Sequence, residues 1–150
     1  MAFIKIVQDE NYFNTGIKML ITQEQLPIVE LSSMNDMHNE EIELITKLHA
    51  VAKNNEVEAV VILLNELIEH TAKHFANEEK SMQEAQFPDY HMHKHEHTKQ
   101  LMDIQSIRSF FEMTNDTQSI AAYLHDSLTP WIIEHVENYD SSASEFLKNQ

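Results

Sequence analysis

The sequence predicts an all-α protein, an up-down-up-down bundle of four helices preceded by an N-terminal arm. Only one glycine, Gly16, occurs in 150 residues, whereas sheets and their tight turns usually need more glycine. Apolar residues also recur at helical spacing over four long segments that short polar stretches separate. Long helices joined by short loops are typical of helical bundles.

The length and composition suit one compact domain. The chain has 150 residues, of which 42% are hydrophobic, and a domain of this size buries roughly 70% of its unfolded surface. Residues 1–30 have only a weak amphipathic pattern, and Pro27 is expected to end any helix before it. We therefore predict an N-terminal arm over residues 1–30 and a single bundle domain over residues 31–150.

The first two helices are predicted over residues 34–54 and 57–85. Ser33 and Asp36 resemble a capping pair at the start of the first helix. Both segments carry one apolar stripe with helical spacing. The stripes are Ile42, Ile45, Leu48 and Ala52 in the first helix, and Val60, Leu64, Leu67, Thr71 and Phe75 in the second.

The third helix is predicted over residues 89–112, with Pro88 at its first turn, where proline is well tolerated. The fourth is predicted over residues 117–147, after a turn at Asn115 and Asp116. Pro130 falls inside this fourth segment. We expect either a kink at Pro130 or a break with a new start at Thr129, because proline removes a helical hydrogen bond.

The charge and the residue usage exclude several classes of protein. The formal net charge is -15 and the ten Lys and Arg residues are scattered, so binding to nucleic acid is not expected. Cysteine is absent, which excludes disulfides and thiolate metal sites and agrees with a reducing cytosol. No apolar run is long enough to span a membrane, and the first residues lack a secretory signal. A cytoplasmic protein without membrane contact is expected.

Ten histidines occur without any histidine-rich tract, and several of them fall on the predicted apolar stripes. In the second helix, His74 and Glu78 are four residues apart and project from one face. Buried side chains of these types are costly unless they are paired or bound to metal. The fourth helix carries His135 with Asp140 five residues later, and the first helix carries His38 one turn before its apolar stripe.

The third helix contains four histidines, and only two of them can face the core. The pairs 91/95 and 93/97 lie about 200° apart around an α-helix. The line through His93 and His97 continues into Leu101, Ile104 and Phe111, so this pair is predicted to point inward. Five inward histidines and two carboxylates would suffice for two metal ions, and a set rich in imidazole and free of sulfur favours iron, copper, zinc or nickel.

The order and spacing of these residues resemble those of the hemerythrin family. That family shows a lone His, then HxxxE, HxxxH and HxxxxD, and all seven positions are filled here. The segment HFANEEKSM is similar to the family's HFxxEExxM, and LTPWIIEHV is similar to LxxWLxxHI. The resemblance covers residues 30–147 and is that of a single-domain bacteriohemerythrin or hemerythrin-like HHE protein. The matching residues are His38, His74, Glu78, His93, His97, His135 and Asp140.

The resemblance implies a non-haem site of two iron ions. His93, His97 and His135 would hold one ion, and His38 and His74 would hold the other. Glu78 and Asp140 would bridge the ions together with an oxo or hydroxo group. Oxygen would bind reversibly, as a hydroperoxide, at the iron with two histidines. An apolar pocket wall would exclude water from it and would comprise Phe75, Trp131, Ile132 and Val136.

Two positions depart from the family's usual residues and leave an enzymatic alternative open. Glu41 and Tyr139 replace residues that are usually apolar, and both side chains could approach the open iron. Glu41 would then ligate that iron or supply a proton to bound peroxide, or it would point past the site into solvent. Tyr139 would either help the reaction at the open iron or be an aromatic residue of the core. The favoured function is an oxygen carrier for storage, delivery or sensing, and the alternative is a di-iron peroxidase or oxidase.

Two further classes of protein fit the same residues less well. A metal-sensing or signalling module would need a separate output protein, and a structural zinc bundle would not need an open coordination position. The expected partner is O2, with NO and peroxide as further candidates. The sequence leaves the oligomeric state undetermined and slightly favours a monomer.

Overall fold

The computed structural model describes residues 20–21 and 25–150, and four long helices make up most of this part of the chain. Helix α1 is Ser32–Lys53, α2 is Val57–Glu84 and α3 is Tyr90–Thr114. Helix α4 spans 117–148 as five consecutive segments: Thr117–Tyr123, Leu124–Leu128, Thr129–His135, Val136–Asp140 and Ser141–Lys148. No β-strand occurs among the described residues, and the connections are short. The predicted all-α four-helix bundle is confirmed.

The core lies between the four helices and is built from their apolar stripes. Every stripe residue that the sequence predicts in the first two helices is buried, including Thr71 of α2. The largest side chain that is almost fully buried is Phe111 of α3. It lies in the same cluster as apolar residues of the other helices, among them Ile45, Leu64, Leu67, Ile120 and Leu124. This packing fixes which face of each helix points inward, and therefore which polar residues are forced into the interior.

The predicted N-terminal arm falls mostly outside the described residues, since residues 1–19 and 22–24 are not described. Of the described part, Ile21, Leu26 and Val29 are buried in the core. The side chain of Asn35 accepts a hydrogen bond from the backbone N–H of Val29 and donates one to its carbonyl oxygen, at 3.0 and 2.8 Å. This stretch therefore packs on the bundle, and the division into arm and domain stays a prediction.

The helix starts differ in detail from the sequence-based expectations. Helix α1 begins at Ser32, and Leu31 precedes it without a side-chain cap, so Ser33 and Asp36 form no capping pair. Ser33 already lies inside the first turn, where its side chain is not at the capping position. Helix α3 begins at Tyr90, which leaves Pro88 outside it.

The turn before α4 forms as the sequence predicts. Asn115 closes α3 in the left-handed region with φ 52°, a conformation that asparagine tolerates better than most residues. The carboxylate of Asp116 then caps α4 by accepting a hydrogen bond from the backbone N–H of Ser119 at 3.1 Å.

Helix α4 is continuous through Pro130, and two of its turns are wider than an α-helical turn. Leu124–Leu128 and Val136–Asp140 are π turns, each closed by a hydrogen bond across five residues, from Thr129 N–H to Leu124 O and from Ser141 N–H to Val136 O. The first turn directly precedes Pro130, whose ring cannot fit a regular helical turn. The backbone keeps helical angles at Leu128 and Thr129, so the break expected as one alternative does not occur. Within the described part of the chain, no helix is both long enough and apolar enough to cross a membrane.

We expect Leu64→Ala to lower the free energy of unfolding by about 2–5 kcal/mol, because Leu64 is buried in the centre of the bundle and its truncation leaves a cavity. Chemical denaturation followed by circular dichroism measures the change. The matched control is Val61→Ala on the same helix. Val61 is 42% exposed, and its substitution should change the free energy by no more than about 0.5 kcal/mol. Equal losses in both variants would contradict this description of the core.

Candidate metal centre

The structure brings all seven sequence-predicted ligands together inside the bundle. Each helix contributes at least one of them from its buried face, and none is more than 5% exposed. Two groups of side chains offer ligand atoms close enough to hold an ion. One group contains three histidines and both carboxylates, and the other contains His38, His74 and Glu78. The three-histidine group is Glu78, His93, His97, His135 and Asp140.

The carboxylate of Asp140 connects the two groups. Its Oδ1 lies 3.0 Å from Nε2 of His93 and 3.1 Å from Nε2 of His135. Its Oδ2 lies 2.9 Å from Nε2 of His38, which belongs to the other group. The two oxygens of one carboxylate therefore face histidines of different groups, which is the arrangement of a bridging ligand.

The carboxylate of Glu78, on α2, also lies between the two groups of ligands. Its Oε1 is 3.3 Å from Nε2 of His74 and 3.3 Å from Nε2 of His97. His74 belongs to the two-histidine group and His97 to the three-histidine group. Both carboxylates thus stand where each could serve two ions, and the five histidines divide three to two around them.

A π turn places Asp140 on the same face of α4 as His135. At 3.6 residues per turn, residues five apart point about 140° away from each other. The wider turn of Val136–Asp140 returns the chain to the same side after five residues. The hydroxyl of Ser141 also donates to the carbonyl oxygen of Val136 at 2.9 Å, which satisfies an acceptor in this turn. The five-residue spacing in the sequence is therefore explained by a local change of helix type.

The contacts of these atoms fit shared metal ions better than hydrogen bonds alone. Both oxygens of Glu78 and the Nε2 atoms of His74 and His97 are buried and have no hydrogen-bond partner among the described residues. Unpaired buried groups of this kind are costly. Two ligands that lie about 2.1 Å from one ion and at right angles are about 3.0 Å apart, close to the separations around Asp140 and Glu78. Nitrogen and carboxylate donors without sulfur suit iron and its neighbouring transition metals.

The electrostatics of the protein alone already favour charged carboxylates at this position. Burial by itself raises the pKa of Asp140, but contacts with His135, His38 and His93 outweigh burial and hold the pKa well below its usual range. The pKa of Glu78 is also lowered, because His74 and His97 outweigh burial and the nearby charge of Asp140. Both carboxylates are therefore ionised at neutral pH, as metal ligands need to be.

Aromatic rings surround the histidines and include two of the predicted pocket residues. Phe75 stacks on His97 with 3.9 Å between ring centroids and 2° between planes, and its ring also lies 5.5 Å from that of His74. Trp131 stacks on His135 at 4.4 Å. Ile132 and Val136 are buried in the apolar core. Apolar rings from α2 and α4 therefore cover His97 and His135.

Two cavities border the site, one beside each group of ligands. One of about 310 Å³ is bordered by His74 and Glu78, together with polar residues that include Asn77 and Ser81. The other, of about 440 Å³, is bordered by His93 and Tyr139. The two-histidine group thus borders a cavity large enough for small molecules.

Glu41 is buried, but its carboxylate faces the outer nitrogen of a ligand histidine. Its Oε2 lies 3.2 Å from Nδ1 of His74, and its Oε1 accepts a hydrogen bond from the hydroxyl of Thr71 at 3.1 Å. Neither group of converging ligand atoms includes Glu41. The alternative in which Glu41 points into solvent is therefore wrong. The sequence places Thr71 only on the apolar stripe of α2. Its hydrogen bond to Glu41 could not be predicted, because a threonine on such a stripe gives no sign of its partner.

The same contacts shift the pKa values of both partners. Burial by itself raises the pKa of Glu41, but the hydrogen bond and charge of His74 outweigh burial and lower it. Burial by itself lowers the pKa of His74, but Glu41 and Glu78 outweigh burial and raise the pKa to about 11. The two carboxylates on either side of the ring therefore stabilise the positive charge of a protonated His74 imidazole.

Tyr139 lies on the three-histidine side, whereas the sequence predicts that it could approach the iron with two histidines. Its ring stacks on His135 at 5.2 Å with 14° between planes, and it meets His93 edge to face at 5.8 Å. The side chain is partly exposed and borders the larger cavity. Tyr139 follows His135 by four residues, a spacing that puts both rings on the same face of the helix.

The remaining histidines of the helices do not join the site. His91, His95 and His125 are exposed, as the sequence predicts for the first two from the choice of the 93/97 pair. His70 is partly buried and pairs at the surface with Glu40, with 3.1 Å between Nε2 and Oε2. Glu79 was not among the predicted site residues, and its Oε1 lies 3.6 Å from Nδ1 of His97. Its place directly after Glu78 in the HFxxEExxM pattern was the available signal.

Comparisons with known proteins agree with this geometry. The family model described as Hemerythrin HHE cation binding domain matches residues 29–144. A bacteriohemerythrin of Aquifex aeolicus (strain VF5) is 29% identical over 129 residues, which are 86% of this chain and 98% of that protein. A bacteriohemerythrin of Ralstonia nicotianae is 31% identical over 102 residues, which are 68% of this chain and 72% of that protein.

A solved structure supports the same architecture. The crystal structure of a mutant hemerythrin superposes with a TM-score of 0.72 and covers 87% of this chain and 98% of the other, at 21% sequence identity. Identity at this level supports the fold alone. The family model, in contrast, spans the helices that carry all seven ligands. With its buried cluster of five histidines and two carboxylates, the chain belongs to the hemerythrin family of HHE cation-binding domains.

Proposed function

We propose that this protein binds oxygen reversibly at a centre of two iron ions. His93, His97 and His135 hold one ion, His38 and His74 hold the other, and Glu78 and Asp140 bridge them. The observation that carries the proposal is the division of the five histidines, three to two, around carboxylates that contact both groups. An unequal division leaves one ion with fewer protein ligands, which is the usual difference between a saturated and a reactive position.

The protein's own groups have separate roles in this function. When bound, the two ions supply the electrons for a reversible reduction of oxygen. Asp140 and Glu78 keep their negative charges beside the ions, because their pKa values are held low. Phe75 and Trp131 cover the rings of His97 and His135 with apolar surface. An apolar surface beside the ligands would limit the access of water to the ions and so suppress side reactions.

Access to the centre is consistent with a small neutral ligand. The cavity of about 310 Å³ is bordered by both His74 and Glu78, so a small molecule can approach the two-histidine group without unfolding of the bundle. An oxygen carrier needs such an approach for both binding and release. Whether the protein stores, delivers or senses oxygen depends on its affinity for oxygen.

The contacts of Glu41 and Tyr139 weigh against the peroxidase alternative. Both oxygens of Glu41 are engaged by His74 and Thr71, so this carboxylate is directed away from the Nε2 side on which ligands converge. Tyr139 lies against the more completely ligated histidine group. An acid that protonates a substrate must lie within hydrogen-bond reach of it. We therefore favour binding over turnover.

We expect the anaerobically reduced, iron-loaded protein to gain a visible charge-transfer band in air and to lose it under nitrogen, because binding is reversible. Absorption spectroscopy over repeated cycles of air and nitrogen measures this change. Direct conversion in air to a stable ferric spectrum would reject reversible binding. In that case, saturable consumption of peroxide with a reductant would support the enzymatic alternative.

We expect Asp140→Asn to bind fewer than the two iron ions per chain that we predict for the unchanged protein. The substitution keeps the size of the side chain but removes the charge that faces His38, His93 and His135. Iron content after gel filtration measures the effect. Glu137→Gln is the matched control, because Glu137 lies in the same π turn and is exposed. Full iron content in Asp140→Asn would contradict the bridging role.

A further inference from the structure

The outer nitrogens of the five ligand histidines have unequal surroundings. Among the described residues, Nδ1 of His38, His93, His97 and His135 is buried without a hydrogen-bond partner. His74 differs, because its Nδ1 lies 3.2 Å from a carboxylate oxygen of Glu41. The nearest comparable group is Glu79, whose contact with Nδ1 of His97 is longer, at 3.6 Å. One histidine of the two-histidine group is thus singled out by a buried charge.

The position of Glu41 is itself fixed by the fold. It lies on α1, is 4% exposed, and crosses to α2, where Thr71 donates a hydrogen bond to its other oxygen. Thr71 and His74 are three residues apart on the same face of α2. Two donors from one helix therefore hold the two oxygens of one carboxylate, which leaves the side chain little freedom to turn toward the ions.

This arrangement determines which nitrogen of His74 is free for a metal ion. An ionised carboxylate can only accept hydrogen bonds, so Glu41 requires the proton of the imidazole on Nδ1. The lone pair then resides on Nε2, which is the atom that faces Glu78. A carboxylate behind a ligand histidine fixes the tautomer, orients the ring and makes the nitrogen a stronger donor.

We propose that Glu41, held by Thr71, is a positioning residue that orients His74 and strengthens its bond to the ion of the two-histidine group. The proposal rests on the two-ion centre proposed above and adds a device that separates the two ion positions. Among the described residues, the three-histidine position has more nitrogen ligands and no buried carboxylate at hydrogen-bond distance behind them. The two-histidine position has fewer ligands, one of which is made a stronger donor.

We expect Glu41→Leu to weaken the binding of one of two iron ions by about 10–100-fold, the usual effect of losing such a partner, and to leave the other within about twofold. Glu41→Gln should weaken it less, because the amide oxygen can still accept from Nδ1. Competition between the protein and a chelator for Fe(II) measures both binding steps. The matched control is Glu43→Leu, which removes an exposed charge from the same helix and should leave both steps unchanged.

A second readout reports the tautomer directly and does not depend on iron chemistry. In zinc-loaded protein labelled with 15N-histidine, the Nδ1 proton of His74 should exchange slowly with solvent and give a resolved NMR signal. Glu41→Leu should lose this signal, Glu41→Gln should retain it, and Thr71→Val should broaden it. A merely structural role for Glu41 would not move this signal selectively.

The outcomes distinguish this proposal from the proposed function. Unchanged affinities in a folded Glu41→Leu protein, or the absence of a proton on Nδ1 of His74 in the zinc-loaded unchanged protein, would overturn the positioning role. Where Glu41→Leu fails to fold, unchanged affinities in Glu41→Gln together with an unbroadened His74 signal in Thr71→Val would overturn it as well. Two tight iron-binding steps without any response to oxygen would reject reversible oxygen binding and leave the effect of Glu41 on affinity as a separate result.

Discussion

The structure depends on the burial of two carboxylates and five imidazoles at the centre of an apolar bundle. Charged groups are costly to bury unless opposite charges or metal ions compensate for them. Asp140 and Glu78 meet this requirement by contacting histidines from different helices. These contacts connect all four helices through two side chains. The ligands consequently converge only where all four helices pack together.

Departures from regular helix geometry are concentrated where this constraint acts. The turn Val136–Asp140 is wider than an α-helical turn and directs Asp140 toward the same centre as His135. The turn Leu124–Leu128 allows α4 to continue through Pro130 and so keeps the ligands of this helix in line with the core. Such π turns are rare in regular helices and are frequent at functional sites. In this chain, one of them places a ligand.

Surroundings of the ligands differ between the two halves of the centre. On one side, Phe75, Trp131 and Tyr139 pack against the rings of the three-histidine group. On the other side, His74 borders a cavity and is held from behind by Glu41. Two ions of the same metal would therefore have different donors and different ring packing in the two positions, while each group of ligands borders a cavity of its own.

The sequence by itself determined the fold class, the helix ranges to within a few residues, and the seven residues that converge at the centre. These features follow from periodicity and spacing, because four-residue steps and apolar stripes report helix faces directly. Only the tertiary structure decided the placement of Glu41 against His74, its bond with Thr71, the position of Tyr139 on the three-histidine side and the π turns around Pro130 and Asp140. Contacts between helices depend on their rotation and relative height, which spacing along a single helix does not encode. The five-residue spacing of His135 and Asp140 indicates a widened turn only once both side chains are known to face the same centre.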